Sequence, residues 1–222
     1  MNGGNPFRRI YGLLDHCYGA QHWWPADSSF EVMVGAVLVQ NTAWSNASSA
    51  IAQLRKHGML SIESILAVED AVLARTIVSC GYYNIKARRL KSLCQWLESK
   101  GGIDAVRKQP LEHLRGQLLT VHGIGRETAD DILLYALDKP VFVIDAYTRR
   151  LFSRLGLVEH DAGYESLRRS FEQALDKDVA LFNQYHALIV HHAKHVCRKK
   201  PQCDSCCLYG ECRYATGRQA LI

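Results

Sequence analysis

An all-α fold is what this sequence predicts, on three observations. Apolar residues recur at helical spacing along almost all of its 222 residues. Glycines stand just past several of the periodic segments, where helices end. The one extended apolar run, Val141 to Ile144, amounts to a single strand, and one strand makes no sheet.

Taken in order, Ser28 and Ser29 are natural caps for a segment in which Phe30, Met33, Val34, Val37 and Leu38 share one helical face, the mark of a buried central helix. Further helices are expected from Ala47 to Lys56 before Gly58, Asp70 to Ser79 before Gly81, and Ile85 to Glu98 before Gly101 and Gly102. Pro110, at a first helical position, opens Leu111 to Leu119. Another helix starts at Thr128 and carries Ala129, Ile132, Leu133, Ala136 and Leu137. Ala146, Tyr147, Leu151 and Leu155 give the next, and Tyr164 to Leu175 and Asp178 to Lys194 follow. His186, His191, His192 and His195 sit on the last of these among Leu188, Ile189 and Val190. That pattern reads as a buried helix with some histidines on its polar side, and none is assigned to metal.

Composition narrows the partner more than the fold. A net charge of +5 and a pI near 8.8 suit a polyanion. Basic residues gather at Lys86, Arg88, Arg89 and Lys91, at Arg149, Arg150 and Arg154, and at Arg198 to Lys200. No apolar stretch approaches the roughly 18 residues of a membrane span, so no membrane partner is expected. The chain opens without a secretory hydrophobic region, and with 8 cysteines this argues for a reducing compartment and metal ligation over disulfides.

Two constellations carry chemistry. Gly123 and Gly125 bracket Ile124 between two helices, in a turn where positive φ and missing side chains let a phosphate approach outward N–H groups. The N-terminus of the following helix adds partial positive charge. Asp145 closes the extended run at an N-cap position. Capping and catalysis coexist there, because backbone N–H bonds and the helix dipole both favour an ionised carboxylate able to stabilise a sugar cation or orient a water. In the second constellation, Cys197, Cys203, Cys206 and Cys212 place four thiolates within one short segment, enough to enclose a tetrahedral zinc or an iron–sulfur cube. Spacing alone does not choose between them. Cys17, Cys80 and Cys94 lie in apolar context and are expected as small core residues.

From Leu118 to Leu155 the succession of helix, glycine hairpin, helix and carboxylate resembles the signature of the endonuclease III superfamily of DNA glycosylases, and the similarity extends over nearly the whole chain. The resemblance implies a two-lobed helix-hairpin-helix fold. A six-helix barrel would span 28–137, with the hairpin motif at about 111–137. Residues 1–27 and 138–222 would combine in a lobe bearing a [4Fe-4S] cluster at 197–212, with the active cleft between the lobes. The resemblance assigns Asp145 to assisting departure of a damaged base. It assigns Gly123, Gly125, Arg126, Thr128 and Arg149 to DNA, and a monovalent cation to the hairpin. Gln40 matches a glutamine that enters the duplex as a nucleotide is extruded; its other reading is an ordinary helix-end amide. Relatives ligate their cluster through C-x6-C-x2-C-x5-C. The last three cysteines match, the first gap here is one residue shorter, and Cys207 offers a competing thiol. The loop between the first two, with Arg198, Lys199 and Lys200, meets the DNA backbone in that family. Strand-cutting members carry a lysine two residues after the second hairpin glycine, where this chain has Glu127. A carboxylate forms no Schiff base, so a monofunctional glycosylase is expected, with strand-cleaving lyase activity weak or absent.

Substrate class is read from aromatic residues. Trp23, Trp24 and Pro25, with Trp44, are an unusual density of rings, and indole faces attract cations. With Glu127 they resemble the 3-methyladenine glycosylase branch of Helicobacter, which lacks the cluster and has a different aromatic at the Trp44 position. Plain packing of the tryptophans is the competing reading. The expected enzyme hydrolyses the N-glycosidic bond of alkylated purines in double-stranded DNA, as a cytoplasmic, nucleoid-associated monomer. A mismatch-specific or oxidised-pyrimidine glycosylase, a catalytically silent DNA-damage binder and an iron–sulfur electron carrier are the alternatives.

Overall fold

In the structure, a computed structural model, residues 4–217 are described, and no strand occurs among them. The helices are α1 (Pro6–Tyr18), α2 (Ser29–Leu38), α3 (Trp44–Lys56), α4 (Ile62–Ala67), α5 (Asp70–Thr76), α6 (Tyr83–Ser99), α7 (Ile103–Arg107), α8 (Leu111–Leu118), α9 (Arg126–Asp131), α10 (Ala146–Leu155), α11 (Tyr164–Ala174), α12 (Val179–His195) and α13 (Arg213–Thr216). Short 3-10 turns occupy Val78–Cys80, Cys203–Ser205 and Tyr209–Glu211, and α9 continues as a π-helical segment over Ile132–Ala136. None of these helices is long and apolar enough to cross a membrane.

The all-helical expectation holds, with boundaries that shift for local reasons. Ser28 caps α2 by accepting from the Glu31 N–H at 3.2 Å. Pro110 is the cap residue of α8, not its first turn. α9 starts at Arg126, two residues ahead of the expected Thr128, because Gly125 is already its N-cap. The helices α1, α4 and α7 carry no expectation from periodicity. The first is set by Asn5, whose side chain accepts from the Phe7 and Arg8 N–H groups ahead of Pro6, and the other two are six and five residues long, too short to show a period.

The chain divides into two compact units, one of residues 24–139 and the other of the chain before residue 24 together with everything from Pro140 on. In the first, α2 is buried from Phe30 to Leu38 and packs against α3, α6, α9 and the π-helical segment, as befits a helix apolar all round. Its one buried charge, Glu31, is met by Arg55 at 2.6 Å. Lys86, 1% exposed, donates to the Leu38 and Cys80 carbonyls at 2.8 and 2.7 Å, joining the end of α2 to the turn that precedes Gly81. In the second unit, α10 and α12 pack together, with α1 and α11 around an aromatic core. Phe142 stacks on Phe171 with ring centroids 4.0 Å apart, and Phe7, Phe152 and Tyr185 close around that pair.

The extended run from Val141 to Ile144 is buried without any strand partner. A lone buried strand would strand its polar backbone. Here side chains serve it: Glu172 accepts from the Phe142 N–H at 3.1 Å and the Tyr164 hydroxyl from the Ile144 N–H at 3.4 Å. Replacing Lys86 by Met leaves two buried carbonyls without their donor, and an expected loss of about 2 to 4 kcal/mol should appear as a lower denaturant midpoint at unchanged slope.

Candidate DNA interface and active site

The hairpin between α8 and α9 is built from one strained glycine, not two. Gly123 has φ +83°, and a Cβ there would stand 2.2 Å from Arg89 Cγ. Gly125, in contrast, has the extended backbone (φ −88°, ψ 179°) open to any residue, and a Cβ on it would meet nothing within 4 Å. The expectation that both glycines serve a tight turn is corrected accordingly. Gly123 is required by the fold, whereas nothing in the fold requires the bareness of Gly125.

A polar frame surrounds this turn. Gln40 Nε2 donates to the Gly123 carbonyl at 3.0 Å and to Thr128 Oγ1 at 2.8 Å, while Arg89 Nη1 donates to Gln40 Oε1 at 2.5 Å. Thr128 is 6% exposed, so its hydroxyl belongs to this internal frame and not to an outward phosphate contact. Arg126 and Glu127 are exposed in the first turn of α9. Beneath them, Arg115 of α8 donates to both carboxylate oxygens of Asp130 of α9, at 2.6 and 3.1 Å, with both side chains buried. The hairpin lines an open groove bounded by Gln40, Asn41, Arg89 and the stretch from Leu119 to Thr128.

Of the aromatic residues, Trp24 and Trp44 meet edge to face at 5.2 Å and 89°, and Trp24 meets Tyr135 at 5.4 Å and 61°. Gly35 makes room for Trp24, since a Cβ there would lie 3.1 Å from the indole nitrogen. Trp23 is half-buried and Pro25 is exposed.

Asp145 caps α10. Its Oδ1 accepts from the Thr148 N–H at 2.6 Å, and its Oδ2 lies 3.5 Å from His186 Nε2 on α12. The Asp145 side chain is 11% exposed and that of His186 6%. Burial alone pushes this carboxyl upward, but His186 and then the Thr148 N–H outweigh it and hold the pKa below the ordinary value. Because the folded value is the lower one, the stabilisation is present above the ordinary aspartate range and is lost as pH falls through the folded pKa.

The four cysteines line one apolar cavity along with Leu151, Leu155, Val196 and Leu208. Among the described residues, no three metal-binding side chains converge on a single point. The four thiols are arranged around this space. Cys207 does not line it; its thiol contacts Cys17 and Tyr18. Cys80 and Cys94 are buried, while Cys17 is exposed, which corrects its expected place in a core. Of the four histidines on α12, His186 and His192 are buried while His195 is exposed, and His192 lies between Tyr18 Oη at 2.7 Å and Cys206 Sγ at 3.5 Å.

The basic residues fall into two groups. Arg149 donates to the Ala162 carbonyl, Arg150 to those of Cys197 and Ala193, and Arg154 to those of Arg198 and Lys199 and to Cys197 Sγ at 3.3 Å. Arg198, Lys199 and Lys200 are exposed on the loop that Arg154 holds. Sequence patterns miss Arg89, Tyr135 and His186, whose roles depend on contacts distant in sequence. They also miss Tyr82, 70% exposed and left-handed at φ +46°, a strained conformation for an aromatic residue. The Gly-Tyr-Tyr turn ahead of α6 was the available signal.

The two glycines separate fold from binding. Gly125→Ala should keep the wild-type melting temperature yet weaken binding to undamaged duplex, while Gly123→Ala should lower the melting temperature as well. Calorimetry and fluorescence anisotropy on the two variants check this.

Comparison with known proteins agrees with this architecture. Residues 34–177 match the family model of the HhH-GPD superfamily base excision DNA repair protein. The Methanocaldococcus jannaschii protein MJ1434, assigned as a DNA repair glycosylase, is 46% identical over 201 residues, covering 89% of this chain and 91% of its own. Endonuclease III of Sulfolobus acidocaldarius is 28% identical over 83% of this chain and 82% of its own. The structure of the H. pylori 3-methyladenine DNA glycosylase MagIII bound to 1,N6-ethenoadenine superposes with a TM-score of 0.75 at 28% identity, over 86% of this chain and 97% of that one. A trapped endonuclease III–DNA covalent intermediate gives a TM-score of 0.84 at 23% identity, over 98% and 99%, a likeness of fold. The chain belongs to the HhH-GPD superfamily of base excision DNA repair proteins.

Proposed function

We propose that this HhH-GPD base excision repair DNA glycosylase is monofunctional and hydrolyses the N-glycosidic bond of alkylated purines such as 3-methyladenine in double-stranded DNA, leaving an abasic site. The observation that carries the reading is Asp145: a nearly buried carboxylate held in its charged form at the N-terminus of α10. As the C1′–N bond breaks, its electron pair leaves with the base and positive charge builds on the deoxyribose. An anion fixed in advance stabilises that charge without reorganising. Water then adds its oxygen to C1′ and gives up a proton. A base alkylated on a ring nitrogen is already cationic and departs neutral, so it needs little acid assistance.

The aromatic group of Trp24, Trp44 and Tyr135 supports a cationic base, since ring faces attract positive charge by about 0.5 to 2 kcal/mol. Trp23, Pro25 and Glu127 are assigned to the same pocket. The 28% identity with the H. pylori 3-methyladenine glycosylase points the same way. Glu127 in place of a nucleophilic amine supports hydrolysis without strand cleavage. Gln40, Gly123, Gly125, Arg126, Thr128, Arg149, Arg198, Lys199 and Lys200 are assigned to the DNA. Thr128 serves by framing the hairpin and Arg149 by holding the Ala162 carbonyl.

Cys197, Cys203, Cys206 and Cys212 are assigned to a [4Fe-4S] cluster, which their ring around an apolar cavity fits. The cluster would order the basic loop between its first two ligands. The protein should be brown with four iron atoms per chain; colourless protein carrying zinc would reject the assignment.

Incubation with methylated duplex should release free 3-methyladenine and leave alkali-labile but uncut strands. Release of thymine or oxidised pyrimidines instead would move the enzyme to another substrate class. Asp145→Asn should retain DNA binding and lose base release by roughly 100-fold or more, and undiminished turnover would remove Asp145 from the chemistry. Because His186 and Thr148 hold its pKa below the ordinary value, Asp145 should keep its charge, and the wild-type enzyme its rate, throughout the pH range above that of an ordinary aspartate. Trp24→Ala should impair release of cationic bases more than of neutral lesions; equal losses would mean packing alone.

A further inference from the structure

His186 is buried and faces the carboxylate assigned to the chemistry. The two oxygens of Asp145 have different surroundings: Oδ1 is taken by the Thr148 N–H at 2.6 Å, whereas Oδ2 faces His186 Nε2 at 3.5 Å. One N–H bond is little compensation for a carboxylate only 11% exposed. The second partner must come from α12, the helix packed along α10, and His186 supplies it. At 3.5 Å the contact is long for a hydrogen bond. Oδ2 is therefore steered without being saturated, and keeps lone-pair capacity for positive charge developing elsewhere. On the same helix, Tyr185 is fully buried and donates to the Phe7 carbonyl at 2.7 Å. His192, six residues after His186, faces Tyr18 and Cys206, so the two buried histidines of α12 serve different partners.

We propose that His186 is a positioning residue for base excision, holding the Asp145 carboxylate in one charged rotamer through its Nε2–H while leaving Oδ2 available to the sugar. The proposal rests on the catalytic assignment of Asp145. Its distinguishing consequence is that the chemical character of residue 186 matters, not merely its volume.

Single-turnover base release from methylated duplex, together with affinity for the same duplex, tests this in His186→Leu, His186→Gln, Asp145→Asn and the double variant Asp145→Asn/His186→Leu. His186→Leu should lose about 100-fold in rate, the scale of a misplaced reacting group, with DNA affinity unchanged. His186→Gln, which retains a donor, should recover at least a tenth of the wild-type rate. The double variant should be no slower than Asp145→Asn, because a residue acting only through Asp145 has nothing left to act on. Should His186→Leu fail to fold, His186→Phe, flat and without a donor, replaces it with the same expectation. Equal losses in the Leu and Gln variants, or independent losses in the double variant, overturn the positioning role and leave the Asp145 assignment standing. Full turnover by Asp145→Asn overturns both.

Discussion

A charged carboxylate in a nearly dry place is the constraint around which the second unit is arranged. Burial alone raises the Asp145 pKa and favours the protonated acid. Two helices are needed to prevent this. α10 contributes its first-turn N–H and the positive end of its dipole, and α12 contributes His186. The extended run from Val141 to Ile144 delivers Asp145 to that point. It can do so only because Glu172 and Tyr164 satisfy backbone groups that a sheet would otherwise have to serve. The aromatic core of Phe142, Phe171 and Phe152 then fixes the run in place.

The hairpin in the first unit is framed from the inside. Arg115 and Asp130 hold α8 to α9 by a two-pronged buried pair. Gln40, Thr128 and Arg89 take up the turn's inner polar atoms, and the Arg89 stem fills the space a side chain on Gly123 would occupy. Gln40 is thereby engaged with the hairpin in this conformation.

Much of this was legible in the sequence, because helix periodicity, glycine stops and an aspartate after an extended run are local signals. The cap at Ser28, the hairpin and the place of Asp145 at the start of α10 all follow from neighbours within a few residues. What was not legible depends on partners far along the chain. His186 is 41 residues from Asp145, and nothing about a histidine in an apolar helix says which residue it will face. Gly125 looked like Gly123 because sequence records the absence of a side chain but not the reason for it. Cys17 looked like a core residue because its apolar neighbours turn inward on α1 while it faces out.

The choice between Cys206 and Cys207 shows how a tie in sequence is broken by geometry. Adjacent residues in an extended stretch send their side chains to opposite sides, and Cys206 has β-region backbone (φ −83°, ψ 119°). Only one of the two can face a common cavity, and it is Cys206, while Cys207 turns to Tyr18 and Cys17. The shorter first gap has a related explanation. Arg154 reaches across from α10 to hold the carbonyls of Arg198 and Lys199 and to donate to Cys197 Sγ, so the loop is drawn tight against a fixed post. A loop tethered at its middle does not need the length of one tethered only at its ends. The three cations it carries are thus turned outward by the same guanidinium that touches the first cysteine.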